Sequence, residues 1–261
     1  MTRREYIASG AAGANPLAPG VGQRPLIGGM CGARGLFTAL VDLAAAAELR
    51  QHKYSCTEAL IVLTGSAEAM VAGRRYVVRP YDTLLIPPET PNRLRSLEAA
   101  GVTTLFAAFA SEAPQRTWID PPKEDSDDVS PASVSERVTY FDQADEYELA
   151  PGALFRNLFV GRPGCKGICG GYGLFSPGSG LPCHTHDYDE SITIIQGRAI
   201  CQVAGAEYEV SDCDTACVPT GRPHRFVNRS TVPMAMIWVY AGDNPDRVIH
   251  PQSLCEGSGT A

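Results

Sequence analysis

Two imidazoles and a carboxylate recur at even spacing in one short stretch of the chain, Gly178-Ser-Gly-Leu-Pro-Cys-His184-Thr-His186-Asp-Tyr-Asp-Glu190-Ser-Ile-Thr-Ile-Ile-Gln-Gly197. On an extended strand His184, His186 and Glu190 all leave the same face. Such a face makes a poor apolar core and a good metal cage. A third imidazole, His224, lies in the later stretch Pro219-Thr-Gly221-Arg-Pro-His224-Arg-Phe-Val-Asn228. Three His and one Glu suit one divalent transition metal (Fe, Mn, Ni or Zn) and leave positions open for substrate or water. A metal held that way can act as a Lewis acid, activate water or, if iron, bind substrate and O2 together. Arg222 and Arg225 flank His224 and Arg198 follows Gly197, so each is a candidate clamp for a substrate carboxylate. Tyr188 shares the ligands' strand parity and is a candidate proton donor, with simple packing as the competing reading.

Strands must carry these groups. Ile192–Ile195 followed by Gly197 reads as a buried strand entering a turn. Met234-Ala-Met-Ile-Trp-Val-Tyr240 alternates as a barrel strand does, and Trp238 with the two methionines reads as core. The spacing Gly178-x5-His184-x-His186-x3-Glu190-x6-Gly197 resembles the first cupin motif at every position. Cys213-x5-Pro219-x-Gly221-x2-His224-x3-Asn228 resembles the second motif, with Cys213 where the family usually has Gly. The resemblance implies an all-β fold, a small jelly-roll β-barrel with His184, His186, Glu190 and His224 as metal ligands. Asn228 then holds a turn.

The chain also resembles itself. Moved by 132 residues (184 − 52), His52–Ser96 aligns on His184–Asn228 without a gap, and 14 of these 45 positions are identical. Two tandem cupin barrels follow. In the first copy Tyr54 stands for the second His and Asn92 for the third, leaving His52 and Glu58. Two strong ligands seldom hold a metal, so the first barrel is expected to be metal-free, as a small-molecule site or a packing partner. Arg225 recurs as Arg93 in this copy, which favours a structural ion pair over a substrate clamp.

The 261 residues are 44% hydrophobic and 20% charged, the balance of a globular chain with a sizeable core. A net charge of −7 disfavours nucleic acid and anionic membrane as partners, and no apolar run reaches the length of a membrane span. Arg3-Arg4 superficially matches a twin-arginine signal, but Ala8–Gly20 holds no apolar segment and the signal is rejected. Nine scattered cysteines point to reduced thiols in a cytoplasmic protein, with Cys183 a packed small residue and Cys165-x3-Cys169 without a role. The expected organisation is an irregular arm over 1–30, a degenerate barrel over 31–110, a linker over 111–135, the metal-binding barrel over 136–250 and a patternless tail over 251–261. Within it, Gly35–Ala47 is expected to contain a strand, and Trp118 to pin the linker to a barrel.

The resemblance leaves the reaction open, because cupins with this ligand set include dioxygenases, decarboxylases, isomerases and cyclases. A mononuclear iron dioxygenase acting on a small polar or carboxylate-bearing molecule is the first expectation. A non-oxidative Mn, Ni or Zn enzyme is the second. The layout is similar to ureidoglycine aminohydrolase in length and in metal placement, though not in ligand spacing. A small-molecule sensor without turnover is the third. Exposed sheet edges offer a route to a homodimer.

Overall fold

The computed structural model describes residues 3–120 and 136–256. Their strands form two barrels, each built from a seven-stranded and a five-stranded sheet. In the first barrel the larger sheet runs, in spatial order, through strands 137–139, 83–86, 58–64, 102–109, 37–44, 21–27 and 15–18. Its smaller sheet holds 116–118, 48–54, 92–96, 67–71 and 74–78. The second barrel repeats this layout: 6–8, 215–218, 190–196, 234–240, 169–175, 153–159 and 146–150 in one sheet, and 206–211, 198–203, 224–227, 184–185 and 248–249 in the other. The expected strand near Gly35–Ala47 is Phe37–Ala44.

The 132-residue repeat therefore reaches well beyond the two motifs. Strand 15–18 corresponds to 146–150, 21–27 to 153–159 and 116–118 to 248–249. The arm expected over 1–30 is not irregular, because much of it is strand. Tyr6–Ala8 pairs with Thr215–Cys217 in the second barrel, while 15–27 forms the outer hairpin of the first barrel's larger sheet. The equivalent strand Arg137–Thr139 pairs back with Thr83–Leu85 of the first barrel. Each barrel thus lends the other an edge strand: Arg137–Thr139, read as part of the second barrel, pairs with the first, and strands 15–18 and 21–27, read as part of the arm, belong to the first barrel's larger sheet. The exchange covers a row of backbone groups that an open edge would leave unpaired. Of the expected linker, Arg116–Trp118 is strand, with Trp118 opposite His52. The remainder, from 121 to 135, lies outside the described residues.

Alternation along the central strands explains how the halves join. In Glu58–Thr64, Ala59, Ile61 and Leu63 enter one cluster while Leu60 and Val62 enter another. The first cluster also takes Phe106, Leu158, Phe159, Ile237 and Val239, so it lies between the two larger sheets. The other fills the first barrel, and a third cluster around Phe155, Ile192, Ile194, Phe226, Met236 and Trp238 fills the second. A strand buried on both faces reads as an unbroken apolar run, which is the pattern Ala59–Leu63 shows. Trp238 and the methionines are core, as expected. Among the described residues no helix is long and apolar enough to cross a membrane.

Candidate metal centre

Glu190 opens an inner strand of the second barrel's larger sheet, with Val218 and Tyr240 as its neighbours across the ladder. Its parity is that of Ile192 and Ile194, so its carboxylate points into the barrel. His184 lies in the facing sheet, opposite His224 on one side and Ile249 on the other. His186 follows just past this strand. The four ligating atoms all come within 4.8 Å of one another, and all four residues are buried. This is the set the two motifs predict.

Backbone carbonyls set the imidazole tautomers. The Nδ1 atoms of His184 and His224 donate to the carbonyls two residues earlier, Pro182 and Arg222, each at 2.9 Å. His186 Nδ1 donates to the Asp246 carbonyl at 2.6 Å. Each Nε2 is therefore the nitrogen turned inward, the one a metal would take. His224 and His186 Nε2 lie 2.5 and 3.3 Å from Glu190 Oε2. Burial pushes the Glu190 carboxyl upward, but the His224 and His186 imidazoles beside it more than reverse this and hold it well below the usual carboxylate range. Burial and the neighbouring His224 hold His184 neutral. Three buried imidazoles, one stable carboxylate and a buried His186 Nε2 without a hydrogen-bond partner fit a divalent transition metal.

The other residues singled out by sequence fare differently. Tyr188 stacks on His186 at 5.3 Å between ring centroids, and its hydroxyl faces the carbonyls of Asn244 and Asp246 at 2.9 and 2.6 Å. It supports a ligand and does not stand free in the cavity. Arg222 is not an open carboxylate clamp, because its guanidinium pairs with Glu5 beside the first strand. Arg198 pairs with Glu209 on the surface. Arg225 binds Gln202 and Glu256, the structural role expected of it. Asn228 ties its turn to Phe175 and Val232, also as expected.

Three features escaped sequence reasoning. Asp189, next to Glu190, is buried and accepts from the Arg3 guanidinium, from the Arg34 amide and from both the amide and hydroxyl of Thr220. Tyr240 is buried with its ring 4.3 Å from His186, and burial keeps its hydroxyl protonated. Arg247 lines a pocket of about 140 Å³ with His186, Tyr188 and Val248, and has no ion-pair partner among the described residues. Fixed spacings mark none of these, because the groups each one faces are remote in sequence. The cysteines also depart from the reduced-thiol expectation at one pair: Cys183, taken as a packed small residue, forms a disulfide with Cys255. The tail read as patternless carries a short helix, Ser253–Glu256, around that cysteine.

Comparison with known proteins agrees with this architecture. Residues 171–240 match the family model described as "Cupin domain". A structure of oxalate decarboxylase from Bacillus subtilis superposes with a TM-score of 0.73 at 14% identity, covering 95% of this chain and 78% of that one. Another, from a study of its Mn(II) centres, gives 0.74 at 15% identity, covering 95% and 80%. The formate complex of the Lactobacillus farciminis oxalate decarboxylase gives 0.75 at 13% identity, covering 95% and 89%. No curated protein matches the chain by sequence. Residues 171–240 thus match a cupin domain, the chain as a whole shares the two-barrel fold of these structures, and the His184, His186, Glu190 and His224 group lies in the second barrel.

Proposed function

We propose that the second barrel is the active site of a metal-dependent enzyme that decarboxylates a small carboxylate-bearing molecule. The observation that carries this is the buried group His184, His186, Glu190 and His224, with the Nε2 atoms turned inward and ligating atoms within 4.8 Å of one another. A divalent metal bound there would supply Lewis-acid charge to a substrate oxygen and, as Mn or Fe, a one-electron couple. Arg247 would bind a carboxylate of the incoming substrate at the mouth. Tyr240, held protonated beside His186, would give its proton to the carbon left by CO2. Tyr188 would keep His186 in place. The neighbours of this fold named as oxalate decarboxylases support the reaction class.

The second reading is an iron dioxygenase, favoured by the buried aromatic and aliphatic interior formed by Ile192, Phe226 and Trp238. The test is to supply Mn-loaded and Fe-loaded protein with oxalate, malonate and acetoacetate while following CO2 and O2 together. Release of CO2 without stoichiometric O2 uptake supports decarboxylation. One O2 consumed per substrate moves the assignment to dioxygenase. Binding of these acids without turnover under either metal contradicts an enzyme and leaves a sensor.

A further inference from the structure

The segment Asp243–Glu256 lies across the back of the metal ligands and touches them at successive points. The Asp246 carbonyl receives His186 Nδ1, and Asn244 and Asp246 receive the Tyr188 hydroxyl. Val248 and Ile249 pair with Thr185 and His184. The His250 amide donates to the Cys183 carbonyl at 2.8 Å, and its ring meets the Thr185 hydroxyl at 2.9 Å. Little apolar burial holds this segment down. Val248 and Ile249 are 57% and 56% exposed, and the strand they form has two residues. What clamps its C-terminal end is the bond from Cys255 to Cys183, the residue preceding ligand His184. The bond closes a loop across a sequence separation of 72. Beyond it the Gly205 amide donates to the Cys255 carbonyl and Arg225 pairs with Glu256, while the terminal helix rests on the strands 198–203, 206–211 and 224–227. The first barrel has the equivalent strand, Arg116–Trp118, but Gln51 stands where Cys183 would be. The staple belongs to the barrel with the metal ligands alone.

We propose that Asp243–Glu256 is a redox-controlled strap that positions His184 and His186: closed by the Cys183–Cys255 disulfide it retains the metal, and opened by a dithiol reductant it releases it. The inference rests on the metal-binding reading of the four ligands. In the step the S–S bond takes up two electrons and two protons to give two thiols, while the dithiol closes to its own disulfide. Both cysteines are buried, so attack proceeds through opening of the short terminal helix. Losing the strap removes the Asp246 acceptor of His186 and the backbone partner of His184. The loss of such supporting contacts weakens metal sites by roughly 10- to 100-fold.

The test uses the full chain loaded with Co2+ and challenged with excess chelator, before and after dithiothreitol, with free thiols counted by alkylation. The same protein is followed by deuterium uptake over 184–186 and 243–256. The expected result is seven free thiols before reduction and nine after, with metal loss accelerating about 10-fold or more as the last two appear. Reoxidation should restore slow loss. A Cys183→Ala/Cys255→Ala variant should lose metal quickly and be indifferent to the reductant. Nine free thiols in the untreated protein, or unchanged metal loss and deuterium uptake after reduction, would overturn the strap. If no Co2+ binds at all, the ligand reading fails, and deuterium uptake over 243–256 still decides whether the disulfide holds the strap.

Discussion

The two barrels place the same four strand positions around their interiors and give them different chemistry. His52 and His184 are interchangeable in detail, since each donates Nδ1 at 2.9 Å to the carbonyl two residues before it. The remaining positions diverge. Glu190 faces imidazoles and stays ionised, whereas burial drives Glu58 up to about 7, only partly countered by Arg116 and Asn92. Where His224 meets Glu190, the Asn92 amide donates to Glu58 at 3.1 Å. Where His186 stands, Tyr54 lies under the Arg116 guanidinium, 5.3 Å from its ring centre. His52 Nε2 and Asn92 Oδ1 are left without hydrogen-bond partners. Ionisation of a carboxylate at one backbone position is decided by the side chains facing it, not by the barrel.

That comparison can be broken by grafting. Arg116 corresponds to Val248, so Tyr54→His/Asn92→His/Arg116→Val copies the second cage into the first barrel. It should add one metal per chain with a dissociation constant of about 1 μM or tighter, roughly 8 kcal/mol of binding, measured by competition with a chromophoric chelator. Unchanged metal content would show that the barrel backbones differ where they look alike.

The two glutamates should also separate in pH dependence. A carboxyl raised from 4.5 to about 7 keeps its proton in the fold where the unfolded chain has lost it. Its contribution to stability is therefore complete below about 4.5 and is lost as pH rises to about 7, a span of roughly 3 kcal/mol. Glu58→Gln should remove that slope in urea denaturation between pH 5 and 8. Persistence of the slope would assign it to another group.

A smaller contrast lies at the junction. The Arg34 amide donates to Asp189 Oδ2, and its counterpart, the Lys166 amide, to the Thr57 hydroxyl at 3.0 Å. Only Asp189 also carries a charge paired with Arg3. Asp189→Asn should cost about 2 kcal/mol in chemical denaturation and Thr57→Ala about 1. Equal losses would remove the ionic part of this account.

The barrels, their duplication and the metal cage were legible because fixed spacings and a period of two encode them locally. His184, His186, Glu190 and His224 converge as their parity requires. The exchanged strands at Tyr6 and Arg137 were not legible, since three-residue strands have too little pattern to announce a partner some 200 or 50 residues away. Arg222 looked available beside His224 because nothing in its own segment reveals Glu5. Cys183 and Cys255 form one pair among nine cysteines, and only the fold of the C-terminal segment over strand 184–185 selects it.

Metal content is the most direct measure of the difference between the barrels. It should be determined by elemental analysis on the native chain, His224→Ala and His52→Ala, each grown with the same metal supply. One metal per chain, abolished in His224→Ala and unchanged in His52→Ala, is the predicted result. Two per chain, or loss on removing His52, would contradict it.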